Sequence, residues 1–205
     1  MDKKNVQLVA VSKTRTELEI MKLYEAGQRD FGENRVQELL SKKDNLPEDI
    51  RWHLIGHLQS NKAKYITSFV FLIHSVDSLD LYKTLYKEAL KSERKISVLL
   101  QFHIAKEESK YGLNWNEAVE LVEYHLQQSN NKVIITGVMG MATLTNDMGQ
   151  VRREFATLNT YFQQLKKSYF NDEDSFCEIS MGMSGDYKLA VEEGATMVRI
   201  GSLLF

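Results

Sequence analysis

The sequence offers one proline, Pro47, and one cysteine, Cys177. A lone cysteine excludes an internal disulfide and a cysteine-based metal cluster. Within Phe176-Cys-Glu-Ile-Ser180 it reads as a buried strand thiol rather than a nucleophile. Pro47 sits in the loop Asn45-Leu-Pro-Glu-Asp49, and no Pro-rich, Ser-rich or low-complexity tract divides the chain, so one domain over residues 1–205 is expected. No apolar stretch is long enough to span a bilayer and no basic-then-apolar leader is present, so the expected location is cytoplasmic, with no membrane partner. Charge of one sign is lacking as well: 26 Lys and Arg stand against 28 Asp and Glu, leaving −2. No global field therefore draws the chain to nucleic acid. The basic pairs Lys42-Lys43, Arg152-Arg153 and Lys166-Lys167 fit solvated helix faces, with no basic and aromatic stripe around them.

What is present is an alternation. Strand-like runs fall near Gln7 to Ser12, Asp30 to Glu33, Trp52 to Gly56, Phe71 to Val76, Ser97 to Ile104, Val133 to Met139, Phe176 to Met181 and Met197 to Ile200. Between them lie segments such as Thr16 to Ala26, Leu79 to Lys91, Trp115 to Gln128 and Gln150 to Ser168, with apolar residues three and four apart. Strand and helix in alternation imply a parallel sheet, and eight such units permit closure into a single (β/α)8 TIM barrel. An open, doubly wound sheet is the alternative. The first strand lacks the Gly-x-Gly-x-x-Gly turn that a dinucleotide-binding version would carry, which favours the barrel.

In such a barrel the loops after the strands share one face, and that face binds ligands. Lys13 follows the apolar run Val6 to Val11, where an amine is out of place. Held at the mouth of a buried strand it would lose hydration, which favours the neutral, nucleophilic form that Schiff-base chemistry uses. The simpler reading is a lysine that snorkels to solvent. Lys62 and Lys110 are rival amines in ligand-face loops, outside any apolar strand. Ser180-Met-Gly-Met-Ser-Gly-Asp186 places small residues and hydroxyls ahead of a helix expected to begin near Ser184. Backbone amides and the Ser180 and Ser184 hydroxyls there suit a phosphate, although Ser184 alone is explained as a helix cap. Gly201 and Ser202 follow the eighth strand, and barrels of this kind often build phosphate sites after strands seven and eight. Arg199, inside the apolar run Met197-Val-Arg-Ile200, either pairs with a barrel carboxylate such as Glu33 or Glu178 or addresses a ring nitrogen or anion of a ligand. His53 and His57 have no third ligand and do not make a metal pair, and Glu107-Glu108 reads as a solvated loop.

Leu8-Val-Ala-Val-Ser-Lys-Thr14, Phe31-Gly-Glu-Asn34, Trp52-His-Leu-Ile-Gly-His-Leu-Gln-Ser-Asn-Lys62, Gly140-Met-Ala142, Ser180-Met-Gly-Met-Ser184 and Arg199-Ile-Gly201 occur in one order along the chain. In these motifs, from about Val6 to Phe205, the chain resembles the YggS/PROSC family of pyridoxal 5'-phosphate homeostasis proteins. The resemblance implies a barrel of the alanine racemase N-terminal domain type, with pyridoxal 5'-phosphate held as a Schiff base on Lys13. It further implies Asn34 as a pocket residue, Ser180, Ser184, Gly201 and Ser202 as the phosphate cradle, and Arg199 as the partner of the pyridine nitrogen. The implied role is buffering and delivery of the cofactor by a monomer, with apo-enzymes as recipients and indirect effects on amino-acid and keto-acid balance. No catalytic residue and no metal is implied. An amino-acid racemase is the alternative; it would need a second acid/base group, usually a tyrosine from another domain. Two departures from the family pattern stand out. Arg35 follows Asn34 where an aromatic or small polar residue is expected, and fewer residues than usual flank the Val-Ser-Lys strand and the Ile-Gly segment.

Overall fold

The computed structural model describes residues 6–107, 110–130 and 132–205. Eight parallel strands form its centre: β1 (Gln7–Val11), β2 (Asp30–Glu33), β3 (Arg51–Leu54), β4 (Leu72–Val76), β5 (Ile96–Phe102), β6 (Val133–Gly140), β7 (Glu178–Ser180) and β8 (Met197–Ile200). Each pairs with the next, and β1 also pairs with β8, Gln7 opposite Met197 and Ala10 opposite Ile200. The barrel is thus closed, as the alternation of elements implies.

The helices are α1 (Glu17–Glu25), α2 (Val36–Lys43), α3 (Leu79–Ser92), α4 (Trp115–Leu126), α5 (Met148–Tyr169) and α6 (Tyr187–Glu192). Local chemistry sets their starts. Thr16 with Glu19 and Asn114 with Glu117 form reciprocal capping boxes for α1 and α4, while Ser78 and Asp147 cap α3 and α5. The alternation has one departure, since β3 and β4 are joined by a 3-10 helix, Ser60–Tyr65, in place of an α-helix. Among the described residues no helix is long and apolar enough to cross a membrane.

The main core lies between the strands and the surrounding helices. A second, smaller apolar cluster fills the barrel itself, built from Val9, Leu72, Leu99, Met139 and Met197. Alternate residues of each strand point inward, and several inward positions are polar: Asp30, His53, His74, Ser180 and Arg199 are all buried. Cys177 departs from expectation. It precedes β7 on the rim of the barrel and is exposed, because only the following Ile179 and Ser180 enter the buried part of the strand.

Candidate functional site

A cavity of about 500 Å³ opens where the C-terminal ends of the strands converge. Lys13, Asn34, Ser184, Arg199, Gly201 and Ser202 all line it, brought together from the loops after β1, β2 and β7 and from β8 and its end. A second cavity of about 420 Å³, with Lys95, His125 and Phe170 on its walls, lies toward the opposite end of the barrel and holds none of the residues singled out above.

Lys13 stands in a turn two residues beyond β1 and is exposed, so burial is not what distinguishes this amine. Its surroundings are built instead around the backbone on either side of it. The Arg15 N–H donates to the Ser12 carbonyl at 3.0 Å, and Thr14 takes a left-handed backbone with φ 62°. Such a conformation costs a branched residue about 1–3 kcal/mol and persists only when its surroundings hold it. Helix α2 supplies the hold. The Lys42 ammonium donates to the Ser12 carbonyl at 2.9 Å, to Glu33 at 2.8 Å and to Glu38 at 3.0 Å. Glu38 in turn accepts the Thr14 N–H, and Glu33 accepts the Ser12 hydroxyl at 2.7 Å. Burial pushes the Glu33 carboxyl up, against the Lys42 and Ser12 contacts that pull it down. Lys42 is therefore no solvated helix residue; it is 6% exposed and pins the turn that carries Lys13.

On the far side of the cavity the Gly201 N–H donates to the Ser184 hydroxyl at 3.4 Å, drawing the loops after β7 and β8 together. Among the described residues, the backbone N–H groups of Ser184, Gly185 and Ser202 find no acceptor. Among the described residues no acidic side chain lines the cavity, whereas a lysine and an arginine do. The donor set thus suits an anion. The helix expected near Ser184 begins only at Tyr187 and runs for six residues, because Met183 to Asp186 form a turn of their own, closed by Met183 N–H to Asp186 and Asp186 N–H to Met183. Loop amides and hydroxyls, not a helix dipole, make this side of the site.

Ser180 does not line the cavity and is no part of that cradle. It is 0% exposed, one inward layer below, where its hydroxyl accepts from Arg199 Nη1 at 2.6 Å and meets His74 Nδ1 at 2.9 Å. Arg199 also donates to the Gly140 carbonyl at 3.1 Å. Neither Glu33 nor Glu178 reaches it: Glu33 holds Ser12 and Lys42, and Glu178 accepts the Thr196 hydroxyl at 2.6 Å. Burial draws the Arg199 guanidinium down to about 10, which leaves it charged at neutral pH.

Residues from other loops complete the walls. His57 stacks on Tyr111 with ring centroids 3.9 Å apart, and Gln101 donates to the Tyr111 carbonyl at 2.8 Å. Gly56 lets the loop after β3 approach the loop after β2, since a Cβ there would lie 2.3 Å from the Asn34 carbonyl oxygen. Arg35, the departure from the family pattern, is exposed at the start of α2 and does not line the cavity. Glu108 lies outside the described residues. Glu107 is tied down, not merely solvated: it accepts the Leu144 N–H and pairs with Lys110, each at 3.0 Å, and the Leu144 contact lowers its carboxyl to about 2.

The inward histidines also make folding depend on pH. Burial holds His53 and His74 below the ordinary 6.5, so the folded protein keeps them neutral where an unfolded chain would take up protons. Their stabilising contribution is complete above about pH 6.5 and is lost as pH falls below it. His125, lowered by burial as well, adds to the same slope. Scanning calorimetry between about pH 7 and pH 5 should show a falling unfolding temperature, and a flat profile across that window would contradict buried neutral histidines. The carboxylates Asp30 and Glu38, both lowered, add to acid instability only below about pH 4.

The whole chain, residues 1–205, matches the family model described as alanine racemase, N-terminal domain. A pyridoxal phosphate homeostasis protein of Aquifex aeolicus is 40% identical over 200 residues, covering 97% of this chain and 86% of that one. The human protein of the same name is 36% identical, with 97% and 75% covered. Among solved structures, PipY of Synechococcus elongatus with PLP bound is 39% identical at a TM-score of 0.87, with 98% and 92% covered. The alanine racemase of Bartonella henselae, 20% identical at a TM-score of 0.74, covers 98% of this chain with 56% of its own and is a likeness of fold alone.

Proposed function

Because the chain belongs to the family of pyridoxal phosphate homeostasis proteins, built on the alanine racemase N-terminal barrel, we propose that it binds pyridoxal 5'-phosphate covalently through Lys13 and buffers and delivers it inside the cell. The observation that carries the reading is the donor set of one cavity: an exposed amine, loop amides, the Ser184 and Ser202 hydroxyls and a buried guanidinium, with no acidic side chain among the described residues. When bound, the cofactor supplies an aldehyde that condenses with an amine and releases water. Lys13 is the amine. Ser184, Gly185, Gly201 and Ser202 would hold the phosphate, with Asn34 on the adjoining wall. Arg199 would address the ring nitrogen, and a guanidinium only donates, so a nitrogen facing it has to accept and stays unprotonated. That weakens the ring as an electron sink and favours carriage over carbanion chemistry.

Loaded protein mixed with an apo-enzyme that needs the cofactor should restore that enzyme's activity. Alanine racemisation should fall below about 1 per second, the lower end of ordinary enzyme turnover. Turnover of one to a thousand per second would replace the carrier reading with that of a racemase. Sedimentation should give the mass of one chain, in keeping with a monomeric carrier.

A further inference from the structure

We infer that Asp30, His53, His74 and Ser180 form a one-directional hydrogen-bond relay through the barrel that fixes the orientation of the Arg199 fork, making these four residues positioning residues for the ring of the bound cofactor. The inference rests on the reading of the cavity as a pyridoxal 5'-phosphate site and adds to it the device that holds its buried cation.

Five links run in series. Arg199 Nη1 lies 2.6 Å from Ser180 Oγ, which lies 2.9 Å from His74 Nδ1. His74 Nε2 is 2.9 Å from His53 Nδ1, and His53 Nε2 is 3.0 Å from Asp30 Oδ1. Asp30 is anchored at the far end by the Arg51 Nε at 2.7 Å. The residues come from β8, β7, β4, β3 and β2, all at inward positions, and all five from Arg199 to Asp30 are buried.

Donor counting gives the chain a direction. Arginine can only donate, so the Ser180 oxygen accepts from Arg199 and its single hydrogen goes to His74 Nδ1. His74 is then neutral with its hydrogen on Nε2, which donates to His53 Nδ1. His53 likewise carries its hydrogen on Nε2 and donates to the Asp30 carboxylate. The opposite direction would need a protonated Asp30, which its Arg51 and His53 contacts disfavour, and would leave the Ser180 hydrogen without an acceptor. Only one assignment satisfies every member, and in it two neutral rings connect a cation to an anion. Each bond polarises the next in a low-dielectric interior, so the carboxylate at one end favours the guanidinium at the other. Arg199 needs this because no carboxylate among the described residues touches it.

The test uses the full chain with its five histidines labelled with nitrogen-15, before and after addition of pyridoxal 5'-phosphate. At about pH 7, His53 and His74 should both appear as neutral rings protonated on Nε2, with or without the cofactor. A ring protonated on Nδ1, or doubly protonated, overturns the relay. Ser180→Ala should release the His74 tautomer, shift the absorbance of the bound cofactor and weaken its binding about tenfold, the loss of one hydrogen bond to a charged group. Ser180→Thr, which keeps the hydroxyl, should restore absorbance and affinity toward the original. Unchanged absorbance and affinity in Ser180→Ala overturn the positioning role. Should Ser180→Ala fail to fold, the tautomers of the unaltered protein and the behaviour of Ser180→Thr still decide. A protein that binds no cofactor while showing both tautomers as assigned would overturn the functional reading and, with it, the role assigned to the four residues.

Discussion

Replacing Lys42 by methionine should lower the unfolding free energy by about 3–5 kcal/mol, the range for removing one partner of a buried ion pair. Glu33 is fully buried and loses its countercharge, so its carboxyl must either stay charged without a partner or take up a proton. Glu38 and the Ser12 carbonyl lose a donor in the same change, and the left-handed Thr14 loses part of what holds it. Denaturant unfolding with an unchanged slope reads the effect directly. Adding Glu33→Gln should recover part of the loss, because the stranded charge is gone. A single-variant loss below about 1 kcal/mol would mean that the pair is solvated and does not support the turn.

Lys13→Ala should abolish borohydride fixation of the cofactor while leaving stability within about 0.5 kcal/mol, since the side chain is exposed and, among the described residues, makes no hydrogen bond that packing depends on. Reversible binding through the loops after β7 and β8 should survive at lower affinity. The contrast with Lys42 is useful: one lysine supplies the chemistry and the other supplies the geometry, and the two variants should separate covalent capture from folding. Lys62 and Lys110 cannot stand in for Lys13, because neither lines the cavity and Lys110 is engaged by the Ala142 carbonyl at 2.7 Å.

Much of this was legible in the order of the residues. The strands stand out because runs such as Leu72 to Val76 are buried on every face, and the residues that interrupt or follow such runs, Lys13, Arg199 and Gly201 among them, converge at one end of the barrel. Ser180 misleads because it shares a motif with Ser184 yet sits one layer deeper, where the pleat turns it toward Arg199 instead of the cavity. Lys42 misleads for a similar reason: a Lys-Lys pair resembles a solvated face, and only the meeting of α2 with the ends of β1 and β2 buries one of them. The His53 to His74 to Ser180 contacts join residues 21 and 106 positions apart, a pairing that no local pattern announces.

The covalent attachment itself is the most direct measurement. Protein loaded with pyridoxal 5'-phosphate, reduced with borohydride, digested and mapped by mass should carry the adduct on the peptide containing Lys13. An adduct found on Lys62, Lys110 or Lys42 with none on Lys13 would contradict the account.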